Sequence, residues 1–562
     1  MAIWPCFVTL AIALCAWSGY ALAAEPAAHW PLLTDGRDLS GHERHLEEHG
    51  VQFGAPSPDG ASAARFDGRG AWLALPEALA PRFGTGDFTF SLWVNTEEVL
   101  DDNLGDLLSK YDAATRTGIN LSILTCSGVS NSQPNFRTVH FGIDQRRTDP
   151  QWTDCGRPGN AVLIFGMAVH EGNLYAATCE PEAGESGRVY RYAGGTNWID
   201  CGSPDASNAV AALAVCDGHL YAGSSWYDTT GSALAASPNT TPGGKVYRYE
   251  GGTQWAYCGT LSNPETGEAG TMGGMGVYRG KLHATTLKQD GFGLYRYEGG
   301  TDWAYCGNPG RRVLNPGVFD GALYMVSYDL PGGPLRYDGS TWEYVGGTID
   351  PPIQQDYSFT VYDGHLHVST WPNANVYRMD ANGVWSLLGR PGDELETMAM
   401  MVYNGALYTG TLPSSKVYRY DGRTLWTPVG QQLDTAEGKY RRAWSMAIYQ
   451  GKLFCGTLPS GKVFCMEAGR NATWDHALQP GWRHLVAVRD AAQLRLYIDG
   501  RPVAVSATFE PEHFDLANGE PLRLGAGSGD FFNGWMRDVR LYENALSEQE
   551  ILELHRAGQS AE

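Results

Sequence analysis

The chain is poor in charge, and poorer still in positive charge. Only 18% of its 562 residues are Asp, Glu, Lys or Arg, and 41 basic against 62 acidic residues leave a net −21. Nothing would repay bringing such a polyanion to nucleic acid or to an acidic membrane surface, so both are excluded as expected partners. An acidic polysaccharide would need a local basic patch. Zinc-protease H-E-x-x-H, hydrolase G-x-S-x-G and P-loop signatures are all missing. Cysteines number 11 and show no metal-ligand spacing.

Long apolar runs are missing too, apart from residues 5–23, PCFVTLAIALCAWSGYALA. That run ends in Ala21-Leu22-Ala23, an A-x-A cleavage pattern, although Met1 to Pro5 carries no Lys or Arg. It predicts a signal peptide over residues 1–24 and a secreted, periplasmic or cell-surface protein without a transmembrane anchor.

What is present is glycine, 71 residues, and tryptophan, 18 residues, the composition of a turn-rich, all-β protein. VYRYEGGTQWAYCG (246–259) returns as LYRYEGGTDWAYCG (294–307). The tryptophan recurs at Trp152, Trp198, Trp255, Trp303, Trp342, Trp385 and Trp426, about 40–57 residues apart, a spacing typical of propeller blades. Between tryptophans the same pieces come back in order. A strand enters a turn such as VYDG (361–364) or VYNG (402–405), a second strand such as LYTGT (407–411) follows, then a loop, the VYRY strand and the tryptophan strand. Four short strands per unit and seven units predict a seven-bladed β-propeller over 148–473. The array opens at Gln151 with a tryptophan strand alone and ends after KVFCM (462–466), so the first strand should complete the last blade and close the ring.

Cys155, Cys201, Cys258 and Cys306 follow their tryptophans by three residues, and the same slot later holds Val345, Leu388 and Val429. A slot that accepts valine and leucine calls for a small buried apolar group, which free cysteine supplies. Nine cysteines follow the signal; an exported protein could hold one or two disulfides among them, but no pairing is legible.

The flanks carry ARFDGRGAWLAL (64–75), DFTFSLWVNT (87–96), GWRHLVAVRDAAQLRLYIDGRPV (481–503) and DVRLYENALSEQEI (538–551). These motifs together resemble the laminin-G-like, concanavalin-A-like jelly roll. The resemblance implies one β-sandwich split into 25–147 and 474–562, with the propeller inserted in a loop and a short final helix opened by a Ser547–Glu550 capping box. Members of that family bind glycans or proteins, and some hold a structural calcium ion, for which Asp538 is the candidate ligand here; no other cofactor is implied.

Propeller ligands usually sit at the central funnel on the long-loop face. Trp226, Tyr227, Arg311, Arg312 and Trp444 are the candidate ligand-binding residues, the aromatic rings to stack on sugars and the arginines to pair carboxylate or sulfate. Tyr440, Arg441, Arg442 and Tyr357 are the candidates should the funnel be catalytic. The turns YEGGTQW and YEGGTDW differ from sialidase Asp boxes, with glutamate for the aspartate. The leading expectation is a glycan-binding or adhesion protein directed at cell-surface or extracellular polysaccharide. A polysaccharide lyase or glycoside hydrolase is the alternative, and a non-catalytic protein-interaction scaffold the third.

Overall fold

A computed structural model describes residues 24–145, 150–288 and 290–559; the expected signal peptide lies outside them, save for Ala24. The protein is all-β apart from one terminal helix, Glu548–Gln559, and three short 3₁₀ turns among the described residues.

Two sheets form the jelly roll. One orders Gln52–Pro56, Ser62–Asp67, Asn533–Tyr542, Phe88–Thr96, Gly481–Asp490, Gln493–Ile498 and Arg501–Val505, with Ala28–Trp30 paired to Asn533–Tyr542. The other orders Glu47–His49, Trp72–Leu75, Leu522–Leu524, Gly105–Asp112, Thr117–Cys126, Asn135–Asp144 and Arg470–Trp474. Alternation puts Phe88, Phe90, Leu92 and Val94 of the first against Ile119, Leu121, Ile123, Val139, Phe141 and Ile143 of the second, and these rings and branches make the core. Each sheet thus contains strands from before and after the repeats. The expected boundary at residue 473 needs moving, because Arg470–Trp474 pairs with Asn135–Asp144 and belongs to the sandwich. Ser547 and Glu550 exchange hydrogen bonds at the start of the helix, as a capping box does.

Between these halves lie seven antiparallel groups of four strands, spanning 163–200, 209–260, 274–305, 314–344, 355–389, 396–428 and 442–466, numbered here as blades 1 to 7. Blade 7 takes its fourth strand from Thr153–Asp154, which pairs with Val463–Met466. The innermost strands touch in chain order, and that of blade 7 touches that of blade 1, so the ring is closed.

The repeated residues make the joints between blades. Each tryptophan indole N–H donates to the backbone carbonyl of the cysteine-slot residue one blade back: Trp198 to Cys155, Trp255 to Cys201, Trp303 to Cys258, Trp342 to Cys306, Trp385 to Val345 and Trp426 to Leu388, at 2.8–3.3 Å. Trp152 closes the circle on Val429 at 3.0 Å. The acceptor is backbone, which is why the side chain in the slot can change. In five blades the VYRY-type tyrosine packs its ring 4.8–5.1 Å from the tryptophan ring. Its hydroxyl donates to a carbonyl of the intervening turn, Gly195, Gly252, Gly300, Gly339 or Arg423. All nine described cysteines are free thiols.

Inner strands run from the long-loop face to tight turns, where both central residues have positive φ, as at Asp363 (50°) and Gly364 (66°). These turns rest on loops of the sandwich: Asp363 and Gly364 donate to the Ser528 and Gly529 carbonyls, Arg279 to that of Leu100, and Gly172 to that of Asp475. No described helix is long and apolar enough to cross a membrane.

Candidate functional site

The funnel is not empty. The sandwich loop between Thr117–Cys126 and Asn135–Asp144 enters the ring from the jelly-roll side, and residues 127–135 are all buried. Inner strands of a propeller leave edge N–H and C=O groups facing the axis, and the loop satisfies them. Val318 donates to Ser127 Oγ, Phe359 to the Gly128 carbonyl, Met275 to the Asn131 carbonyl and Leu213 to Ser132 Oγ, all at 2.8–2.9 Å. Val277 donates to Gln133 Oε1 at 3.0 Å, and Val169 to the Pro134 carbonyl at 2.8 Å. Val129 packs on Ala399 and Met401, so all seven blades are engaged once Asn135 pairs with Ile448. The expectation of an open funnel is corrected: the axis is occupied by the host domain's own chain.

Above this plug the structure brings together four of the expected site residues. Arg442 and Trp444 head the inner strand Arg442–Tyr449, Tyr357 lies in Gln355–Tyr362, and Tyr227 comes from the loop after His219–Ser225. Tyr357 and Trp444 are therefore strand residues where loop positions were expected. Sequence reasoning missed their centre, Glu396, whose carboxylate lies 3.4 Å from Arg442 Nε. Arg442 also donates to Ser232 Oγ at 2.9 Å, and Ser232 bonds the Tyr227 hydroxyl at 2.5 Å. The Trp444 indole donates to Asn131 of the plug at 3.4 Å, and Tyr328 packs 5.0 Å from Tyr357. Glu396 is 1% exposed; burial raises its carboxyl above the ordinary range while Arg442 and Tyr357 hold it down. Burial first, then the Glu396 charge, pushes the Tyr357 hydroxyl well above its ordinary value of 10. A tyrosine base needs the opposite shift. Only about 10 Å³ is left beside Tyr357, Tyr328, Trp444 and the plug, too little for a ligand.

The other basic residues are also committed. Arg312 grips Asp329, with Nε donating at 2.8 Å and Nη2 at 2.7 Å. Arg311 donates to the Pro331 carbonyl at 2.8 Å and lies over the Tyr344 ring. Arg441 donates to the Pro413 carbonyl of the neighbouring blade at 3.2 Å. Tyr440 sits between Lys439 and the Arg442 guanidinium, 5.3 Å from the latter. None of these arginines is held ready for a uronate carboxylate.

The long-loop face carries an open cleft of about 510 Å³ walled by Trp226, Gly270, Thr271, Lys288, Asp290 and Arg312. Lys288 Nζ lies 5.4 Å over the Trp226 ring and 3.9 Å from Asp228. Lys288 and Asp290 escaped sequence reasoning because they occupy a loop with no motif. Asp538 is placed elsewhere: its carboxylate accepts from His29 at 2.7 Å and Arg540 at 2.8 Å, which holds it down to about 2 although burial opposes this. His29 and Arg540 take up the carboxylate oxygens a metal would need. No group of three or more His, Cys, Asp or Glu among the described residues is set to hold a metal ion.

Residues 452–552 match the family model of the concanavalin A-like lectin/glucanases superfamily, a match that starts within blade 7 and ends in the terminal helix. Among solved structures, the chain is similar to a virginiamycin B lyase from Staphylococcus aureus at 13% identity and TM-score 0.45, over 57% of this chain and 99% of that one. It is similar to the WD40 β-propeller domain of Doa1 at 11% identity and TM-score 0.41, over 56% and 97%. A GH74 xyloglucanase from Xanthomonas campestris matches at 16% identity and TM-score 0.39, over 61% and 60%. The strand order and the closed ring of inner strands make the fold a jelly-roll sandwich combined with a β-propeller.

Proposed function

We propose that the protein is an exported glycan-binding protein whose long-loop cleft takes an uncharged polysaccharide. The observation that carries the reading is the Trp226 ring set in an open cleft beside Asp290 and the Arg312–Asp329 pair. An indole face matches the C–H face of a pyranose, while carboxylates accept and guanidinium donates to the hydroxyls around it. Neutral glycans are favoured over uronates because Arg312 is held by Asp329, Lys288 lies beside Asp228, and Asp290 adds negative charge to the cleft wall. The lyase reading is weaker because burial pushes Tyr357 away from base character and Arg311, Arg312, Arg441 and Arg442 already have partners.

The test is a glycan array read with and without an assay for cleavage products. Retention of neutral polysaccharide without turnover, weakened about tenfold or more in Trp226→Ala, a loss of roughly 1.4 kcal/mol, is expected. Retention that ignores Trp226→Ala and Asp290→Ala, or turnover abolished by Tyr440→Phe, would overturn it. Absence of any retained glycan would leave the scaffold reading standing in its place.

A further inference from the structure

A second cavity lies at the opposite end of the ring, between the second sandwich sheet and blades 4 to 7, with a volume of about 80 Å³. Its walls come from both domains: Asn103, Asn120, Thr125 and His140 from the sandwich, Phe359 and Asn404 from the propeller. His140, Asn404, Asn120 and Asn103 expose only 2, 3, 5 and 9% of their surface. Yet Asn103 Oδ1, Asn404 Oδ1, Asn120 Nδ2, Thr125 Oγ1 and both His140 ring nitrogens have no hydrogen-bond partner in the protein. Buried polar groups are almost always paired, so the five unpaired atoms of Asn103, Asn120, Thr125 and His140 call for an occupant, whereas Asn404 Oδ1 faces Gly142 and Asn471.

The chemistry of the walls selects its class. Burial pushes His140 down to about 4, so at neutral pH its ring offers one donor and one acceptor. The two carboxyls in the wall are already bonded, Asp106 to Ser122 and Gly529, Asp530 to Asn103 and the Phe531 N–H. An anion would meet these carboxyls, and a cation would find them committed. Val318, whose carbonyl accepts from Asn103 at 3.0 Å, adjoins the polar wall and with Phe359, Val361, Leu366 and Val402 adds an apolar surface suited to C–H groups. Gly529 and Asp530 also border an outer cleft with Trp72, Arg523 and Asp363.

We propose that this interdomain chamber binds one small uncharged polyhydroxy molecule, between glycerol and a single sugar ring in size, with hydroxyls on the His140–Asn103 wall and carbons on the Val318–Phe359 wall. The site needs both domains, because neither wall alone encloses it. It does not depend on the long-loop cleft.

The experiment uses the full chain with xylose, erythritol and glucuronate as probes. Crystals soaked in xylose or erythritol should show one molecule spanning His140 and Asn103, and calorimetry should show one site for the neutral probes and none for glucuronate. His140→Phe and Thr125→Val should each weaken xylose binding at this site at least fivefold, while the exposed Leu39→Ala leaves it unchanged. Should His140→Phe not fold, the isosteric Thr125→Val decides. Discrete waters alone in soaked crystals, or equal binding by Thr125→Val and the parent, would overturn the proposal.

Discussion

Asn135 and Ile448 face one another across the domain junction and exchange two hydrogen bonds, Asn135 Nδ2 to the Ile448 carbonyl at 2.8 Å and the Ile448 N–H to Asn135 Oδ1 at 3.0 Å. A side-chain amide thus pairs the edge of blade 7 as a neighbouring strand would. Asn135→Leu strands both backbone groups in a buried place, and each such loss costs about 1–3 kcal/mol. Urea unfolding should show a loss of about 2–6 kcal/mol. A loss below that of an ordinary surface change would mean water replaces the amide.

The cysteine slot should tolerate change. Cys258 Sγ makes only a weak 3.5 Å contact with the Ala256 carbonyl, while the joint uses the Cys258 backbone carbonyl. Cys258→Val is expected to shift stability by less than about 1.5 kcal/mol in either direction. Trp303→Phe, which deletes the indole donor, should cost about 1–3 kcal/mol. If the two variants melt alike, the tryptophan acts only by volume.

Breaking the buried ion pair should be costly in a pH-dependent way. Arg442→Leu leaves Glu396 without its cation, and removal of one partner from a buried pair costs about 3–5 kcal/mol. Adding Glu396→Leu should recover most of that loss. The single variant's deficit should grow from pH 4 to pH 8, as Glu396 is asked to ionise alone. A deficit equal at both pH values would place the effect in packing.

The junction itself should weaken as pH rises. Burial pushes Asp102 and Asp475 up to about 7 and Asp106 up to about 6. Unfolded aspartates titrate near 4, so the folded state keeps protons that the unfolded state has lost. Their stabilising effect is full below pH 4 and fades as pH passes 6–7. His140, pushed down to about 4, works oppositely: its contribution is full above about 6.5 and is lost on acidification. Asp102→Asn should therefore stabilise the protein by about 1–3 kcal/mol at pH 8 relative to pH 5. Denaturant midpoints at the two pH values measure this, and an unchanged difference would refute it.

The ring could be read from sequence because its joints repeat. Tryptophan, tyrosine and the slot residue recur with local spacing, and each serves a contact one blade away. The jelly roll was legible for a related reason, since Phe88–Thr96 and Gly481–Asp490 alternate apolar and polar residues along adjacent strands. The plug was not legible. SGVSNSQPN (127–135) looks like a polar surface loop, and only the ring's naked edges make it an interior one. Glu396 left a fainter trace, a lone acid at the head of the apolar strand ETMAMMVY. The arginines misled because their partners, Asp329 and Glu396, lie 17 and 46 residues away.

Seven similar blades could in principle seat on a host in seven rotational settings. The plug removes that freedom, because each of its residues is unlike the next and together they reach different blades: Ser132 meets Leu213, Gln133 meets Val277, Ser127 meets Val318. It behaves as a key in a keyway, indexing a nearly symmetric wheel to one angle. Every long loop on the far face consequently has a fixed compass bearing relative to the sandwich below. A pattern of sidedness on that face is thus inherited from an asymmetric loop at the centre.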